Sequence, residues 1–426
     1  MRKQFLSMVA IAGITLLASC SNDEIVPAID NDSNGVESEI TLALSSGGSG
    51  LETRAGRPVN SSAAANSVDK VQLKLYKKNT GKNVWEEATG VKITGTAIDN
   101  NNILAWSGPT GEGVPGTGSR EEKQTIKLKE LGEGDYKIIA YGYQTDHGYA
   151  SPTFTEGTAD GGGYFTTPQI TYAAGDNGTN VEELFAGSAD FQTDSKGKIT
   201  TAKVEVKMHR QVAGMIGYFR NIPVKKLNKE GVATAVRYVK VKTVAQADKF
   251  KFPSVVPFNG VSQATGDYTL LTYDLSTIIG SSDYSQQVSD ANEDLTRTFT
   301  IAARTQAPVT VANSIFAGRF IVPFSAQVNE NTLRVVLEDE SNNELRSWNI
   351  KINTTTGGDN PGNTLRYNIE RNKFYSIGQK IRAGETEDPG TSGKDPDTPV
   401  DLNNDNDIIV ILNDAWDVIY NMGLED

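Results

Sequence analysis

The feature that most constrains this chain is a period of two. Apolar residues alternate with polar ones in one short segment after another. "DKVQLKLYKK" alternates through Val71, Leu73 and Leu75. "QTIKLKELGEGDYKIIAYGY" alternates through Ile126 and Leu128, turns at "GEGD", and resumes through Tyr136, Ile138 and Ala140. "KVEVKMHRQV" continues through Val204, Val206 and Met208, and "RYVKVKTV", "RTFTIAAR", "GRFIVPFSA", "TLRVVLED" and "LRSWNIKI" follow. Successive side chains of a strand point to opposite faces, so such alternation marks half-buried strands. The separators are rich in Gly, Asn, Asp and Pro, and no segment carries a long 3.6-residue period; "VEELFAG" suggests at most a short turn of helix. Short strands at this spacing predict an all-β chain of sandwiches. A length of 426 residues suits two or three domains. The break between two sandwiches is expected near Val212–Gly217.

Both ends carry an isolated strand pattern beside a stretch with little to bury. Near the start, "VESEITLALSS" places Val36, Ile40, Leu42 and Leu44 on one parity. It runs into "GGSGLETRAGRPVNSSAAANS", an exposed, protease-accessible linker by composition. At the other end, Pro, Gly, Asp, Glu, Ser and Thr dominate residues 383–405. That linker spans at most ~70–80 Å at ~3.3–3.6 Å per residue. Beyond it, "DIIVILNDAWDVIYNMGLED" has Ile408, Val410 and Leu412 on one face and Ile409 and Ile411 on the other. After Asn413-Asp414, Trp416, Val418, Tyr420 and Met422 share a face.

A formal net charge of −12 repels phosphate backbones and argues against nucleic acid as a partner. The one cysteine excludes an intrachain disulfide. That cysteine ends "LASC", after Arg2-Lys3 and an apolar run from Phe5 to Ala18 that is short for a membrane span. The arrangement resembles a bacterial lipobox, with residues 1–19 as the signal peptide and Cys20 acylated; an ordinary signal peptide holding a cysteine is the alternative. Acylation anchors a chain to a membrane without spanning it. Asp23-Glu24 resembles the surface-export signal of Bacteroidales lipoproteins.

Catalytic patterns are missing. His147 and His209 have no cysteine or second histidine at ligand spacing, and there is no nucleophile elbow, phosphate loop or zinc-protease helix. "DLNNDND" sets Asp401, Asn403, Asp405 and Asp407 at alternate positions, but Asn406 and Leu412 stand where a calcium loop needs Gly and Glu. No cofactor is expected, and no enzyme. Of the four tryptophans, Trp348 reads as core and Trp106 as an exposed loop aromatic able to stack on a sugar.

The lipobox, the strand followed by an accessible arginine, and the tethered C-terminal strand together resemble the fimbrillin superfamily of Bacteroidales type V pili. The closest likeness is to the minor fimbrium (Mfa-type) shaft subunits. It is carried by "RNKFYSIGQKIR", the Pro/Asp linker and the closing strand, and "VEVKMHRQVAGM" is similar to the strand that closes the first domain in this group. The resemblance implies two transthyretin-like β-sandwiches in tandem, at 55–212 and 213–382. A propeptide at 20–54 with a removable strand would precede them, and a linker with a donor strand would follow at 383–426. It implies a cell-surface fimbrial subunit, its precursor held at the outer membrane through Cys20. An arginine-specific or trypsin-like protease would cut it, and it would polymerise by donor-strand exchange with copies of itself and with anchor and tip subunits. Host or bacterial surface ligands are further expected partners. Loss of a strand exposes unpaired backbone and an apolar trough, and an added strand repairs both. Arg57 precedes Pro58, a poor site for cleavage, so the Arg54–Ala55 bond is the expected cut. Two other readings stay open: a tip or accessory adhesin, and a monomeric glycan-binding surface lipoprotein whose C-terminal strand folds back onto its own sheet. On the fimbrial reading, the tail of an uncut chain is expected loose or packed adventitiously.

Overall fold

The computed structural model describes residues 36–46, 68–82, 84–95, 97–106, 120–143, 153–155, 169–171, 184–244, 247–251, 260–262, 266–305, 310–324, 333–353, 369–378, 399–403 and 408–413. The class is all-β. In chain order the first strands are β1 Ser38–Ser46, β2 Lys70–Asn79, β3 Val84–Glu87, β4 Lys92–Thr94, β5 Ile103–Ala105, β6 Arg120–Lys129, β7 Gly134–Tyr143, β8 Thr153–Thr155, β9 Gln169–Thr171, β10 Phe185–Thr193 and β11 Glu205–Arg210. Then come β12 Ala213–Arg220, β13 Lys225–Leu227, β14 Ala233–Ala235, β15 Tyr238–Thr243, β16 Ala247–Lys251, β17 Gly260–Ser262 and β18 Tyr268–Asp274. Two short helices follow, α1 Leu275–Ile279 and α2 Ser281–Asp290. The last strands are β19 Ser314–Ile321, β20 Leu333–Glu338, β21 Glu344–Asn353, β22 Phe374–Ile377, β23 Val400–Asp401 and β24 Ile408–Asn413.

One nine-stranded sheet runs β3-β2-β7-β10-β11-β1-β6-β4, with β5 also on β2. It curls so that its two halves face each other. Ile40, Leu42, Leu44, Ile126, Leu128, Val206 and Met208 from one half share a core with Val71, Leu73, Ile138, Ala140, Phe185 and Phe191 from the other. A second nine-stranded sheet runs β18-β15-β20-β21-β24-β22-β12-β19, with β23 on β12. Its ends are tied where the Tyr273 hydroxyl donates to the Gly217 carbonyl at 2.6 Å. A four-stranded sheet, β17-β16-β9-β8, joins residues from both halves of the chain.

"YKIIAYGY" is apolar on both parities because both its faces are covered. Tyr136, Ile138 and Ala140 turn into the first core, while Ile139, Tyr141 and Tyr143 join the second. Burial pushes the Tyr141 phenol far above its usual range. The turn before this strand is held by Tyr136, whose hydroxyl accepts from the Gly132 amide at 3.1 Å and donates to the Gly132 carbonyl at 3.0 Å.

Two sequence expectations are corrected. Trp106 is buried in the first core, because its amide donates to the Asp69 carbonyl at 2.8 Å and carries the edge of β5 along β2. Val36 is exposed, since β1 begins two residues later. In "VEELFAG", strand β10 begins at Phe185, and residues 181–183, where a turn of helix was expected, lie outside the described residues. The helices α1 and α2 were not foreseen. Asp274 caps α1, its carboxylate accepting from the Ser276 and Thr277 amides. The helix α2 rests on the Tyr284 ring, stacked on Phe299 at 5.4 Å.

Candidate functional site: the β1 slot

β1 lies inside its sheet, with a neighbour on each side. It pairs antiparallel with β6 along its whole length, from Ser38 opposite Leu128 to Ser46 opposite Arg120. On the other side it pairs parallel with β11, from Thr41 beside Glu205 to Leu44 beside Met208. The Thr41 amide donates to the Val204 carbonyl at 3.1 Å, and the Ile199 amide to the Ser38 hydroxyl at 3.3 Å. Ile40, Leu42 and Leu44 are at most 1% exposed. A polar backbone with partners on both sides and an apolar face sealed in a core make β1 a structural member of the sheet, although the chain beyond it is Gly- and Ser-rich.

On the opposite face the N-terminal end of β1 is charged, while Ala43 farther along is buried. Lys127 Nζ stands 2.9 Å from a Glu37 carboxylate oxygen and 3.9 Å from Glu39, and Lys129 Nζ is 3.2 Å from Glu37. Hydrogen bonds from Lys127 and Lys129 hold Glu37 below the usual carboxylate range, and Glu37 in turn raises Lys127. Farther along, Glu205 of β11 meets Lys123 at 3.1 Å and Lys203 at 3.3 Å, and is lowered by both. These groups escaped the sequence reading. The signal was present as "ESE" opposite "KLK", two alternating segments of opposite charge.

The wall formed by β11 is rigidly placed. At Gly187 of β10 an added Cβ would lie 2.0 Å from the Lys207 carbonyl oxygen, so only glycine admits the crossing of β10 and β11. β11 then passes through Gln211 and Val212 into β12. Arg210 is fully buried there, its guanidinium 4.8 Å from the Phe185 ring centroid and its Nη1 donating to Asn372 Oδ1 at 3.3 Å. The Arg371 guanidinium donates to the Arg210 carbonyl at 3.3 Å. Residues of "RNKFYSIG" thus brace the junction between the sheets.

The C-terminal strand occupies a slot of the same topology in the second sheet. β24 runs parallel to β21, with Ile408 beside Ile350 and Ile411 beside Asn353. It runs antiparallel to β22, with Val410 opposite Ile377 and Asn413 opposite Phe374. Residues 408–413 of this uncut chain are therefore paired in its own sheet, as the monomeric reading expects, where the fimbrial reading expects a tail that is loose or packed adventitiously. A backbone with open donors and acceptors on both edges takes the nearest gap that satisfies them. β23 reaches β12 beforehand, and Asp401 accepts from Asn221 Nδ2 at 2.7 Å, a structural partner for one residue of the "DLNNDND" pattern. Among the described residues no cluster of three or more His, Cys, Asp or Glu is arranged to hold a metal.

The structure therefore brings Ile40, Leu42 and Leu44 together in one slot and sets Ile408, Ile409, Val410, Ile411 and Leu412 in another. Cys20, Arg54, Ala55, Trp416, Val418, Tyr420 and Met422 lie outside the described residues.

The family model described as fimbrillin-A associated anchor proteins Mfa1 and Mfa2 matches residues 52–270, just over half of the chain. Among solved structures, the chain is similar to the fimbrial anchor protein Mfa2 from Porphyromonas gingivalis, with 10% identity, 80% of this chain and 90% of that one covered, and a TM-score of 0.35. It is similar also to a fimbrial assembly protein from Parabacteroides distasonis, with 10% identity, 81% and 92% covered, and a TM-score of 0.29. No curated protein matches.

Proposed function

Because the chain belongs to the family of fimbrillin-A associated anchor proteins Mfa1 and Mfa2, we propose that it is a structural subunit of a cell-surface fimbrium and not an enzyme. On this reading it is exported as a lipoprotein through Cys20, cut between Arg54 and Ala55, and polymerised by exchange of β1 for the C-terminal strand of another copy. Residues 55–212 and 213–382 form its two transthyretin-like sandwiches, with 383–426 as linker and donor. Other fimbrial subunits, the processing protease and, before processing, the outer membrane are its partners.

The observation that carries the reading is the placement of β1. It is an internal strand, yet every residue from 47 to 54 lies between it and the proposed cut, so cleavage leaves it bound by noncovalent contacts alone. Its departure opens a slot with two unpaired edges and a trough lined by Ile126, Leu128, Val206 and Met208. A replacement strand restores both. Among the described residues, β1 pairs with β6 over residues 38–46, whereas β24 pairs with β22 over 374–377. The longer ladder supports transfer of the tail from its own sheet to a neighbour's open slot.

A second reading is supported by the pairing of β24 at home. A terminal subunit, anchor or tip, accepts a strand or presents a surface without donating its own, and its tail stays in its own sheet. Treatment of the purified chain with an arginine-specific protease separates the two. A shaft subunit forms an SDS-resistant ladder that deletion of residues 407–426 abolishes. A terminal subunit forms no ladder alone. A ladder that survives the deletion refutes donor exchange by this tail.

A further inference from the structure

The apolar alternation of β1 fixes which face of a strand enters the slot, but not its register. A one-residue slip turns the apolar set outward, whereas a two-residue slip keeps it inward. The tail is less constrained still, because Ile408 to Leu412 is apolar on both parities. Something besides hydrophobicity must choose among registers.

The charged edge of the slot supplies that choice. In β1 the inward residues Ile40, Leu42 and Leu44 are preceded by acids one and three positions ahead of the first, Glu39 and Glu37. In the tail, Ile408, Val410 and Leu412 are preceded at the same offsets by Asp407 and Asp405. "ESEITLAL" over 37–44 and "DNDIIVIL" over 405–412 agree in apolar and acidic positions alike. No other inward start within 408–422 places acids at both offsets: Val410 has Ile409 and Asp407 ahead of it, and Val418 has Asp417 and Ala415.

We propose that the vacated slot takes residues 405–412 of a second copy in this one register, with Asp405 and Asp407 replacing Glu37 and Glu39 against Lys127 and Lys129. This rests on the donor-strand reading above and adds a determinant of register and partner choice. β24 in its own sheet already has one parallel and one antiparallel neighbour, the arrangement that β11 and β6 provide. The lysines are partly exposed, so their contribution lies in encounter and discrimination more than in affinity. A donor slipped by two residues keeps its apolar face and leaves one acid or none at the lysines.

Charge reversal on the full chain tests this. The slot variant carries Lys127→Glu and Lys129→Glu together with Glu37→Lys and Glu39→Lys, so that the uncut chain keeps its ion pairs and folds. The tail variant carries Asp405→Lys and Asp407→Lys. All chains are cut by an arginine-specific protease, which ignores the new lysines, and ladder growth is followed at low salt. Each variant alone should assemble about tenfold more slowly, and the chain combining both should return to within about twofold of the original rate. The differences should close near 1 M salt, where the screening length is about 3 Å. Equal rates for all four chains would overturn the register proposal and leave donor exchange standing. A ladder insensitive to deletion of 407–426 would overturn both.

Discussion

Leu42→Ala separates what β1 does before processing from what it does after. Leu42 is fully buried, between register partners Gln124 and Val206. Deleting a side chain of that size from a packed core costs about 2–5 kcal/mol, depending on how far the cavity closes. At 1.4 kcal/mol per tenfold, the seated form of β1 loses roughly 30- to 4,000-fold against the released form. Urea unfolding of the uncut chain, followed through buried Trp106 of the same core, should move to lower midpoint by about 1–2.5 M for a slope near 2 kcal/mol/M. After cleavage and assembly the shift should vanish, because residue 42 has left with β1. If the assembled mutant is as destabilised as the uncut one, β1 has stayed in place and strand replacement is wrong. If the uncut chain does not shift at all, the inward face of β1 does not hold the slot.

Three other perturbations address the walls. Tyr136→Phe strips the Gly132 amide of its acceptor in an exposed turn at the edge of the first core, a loss of about 0.5–1.5 kcal/mol; calorimetry should show a fall of about 2–4 °C per kcal/mol. Gly187→Ala drives a methyl group against the Lys207 carbonyl and should speed hydrogen exchange of β11 amides, with a stability loss of about 1–3 kcal/mol. The third is pH. Glu37 and Glu205 are lowered, so their contribution is complete above the ordinary carboxylate range and lost as pH falls through their depressed values; Lys127 is raised, so its share is complete below the ordinary lysine range and lost as pH rises through its raised value. The protection of β6 amides, taken relative to their intrinsic exchange at each pH, should therefore be flat between about pH 5 and 10 and fall in acid, and Glu37→Gln should flatten the acid limb.

The sheet elements were legible because period-two alternation is a local property: β11 and β15 follow it residue for residue, and β2 does so as far as Leu75. The helix α2 was not, because its apolar face consists of only Tyr284 and Val288, partly buried among Ser, Asp and Gln. Its support comes from outside, through the Tyr284 hydroxyl donating to the Val236 carbonyl at 3.0 Å. Trp106 sits among loop-forming residues in sequence, and only the approach of β5 to β2 turns it inward. In the slot, Ile40, Leu42 and Leu44 could be read from parity, but which strands flank them could not, since β6 and β11 lie far along the chain. The pairing of β24 at home was hidden for a different reason. Two slots share one topology, between β6 and β11 and between β21 and β22, and a pattern of apolar residues does not say which strand fills which.

The seating of β1 between β6 and β11 has a mechanical consequence for a fibre built by strand replacement. A pull on the donated strand acts along its own axis, at right angles to the antiparallel hydrogen bonds to β6. Those bonds, and the slanted ones to β11, are strained together in shear rather than opened one at a time as in a zipper. The tension then leaves the joint through β11, past buried Arg210 and into β12, so the second sheet is drawn taut along an unbroken backbone. Resistance of this kind is a lifetime under load, set by an unfolding rate more than by an equilibrium constant.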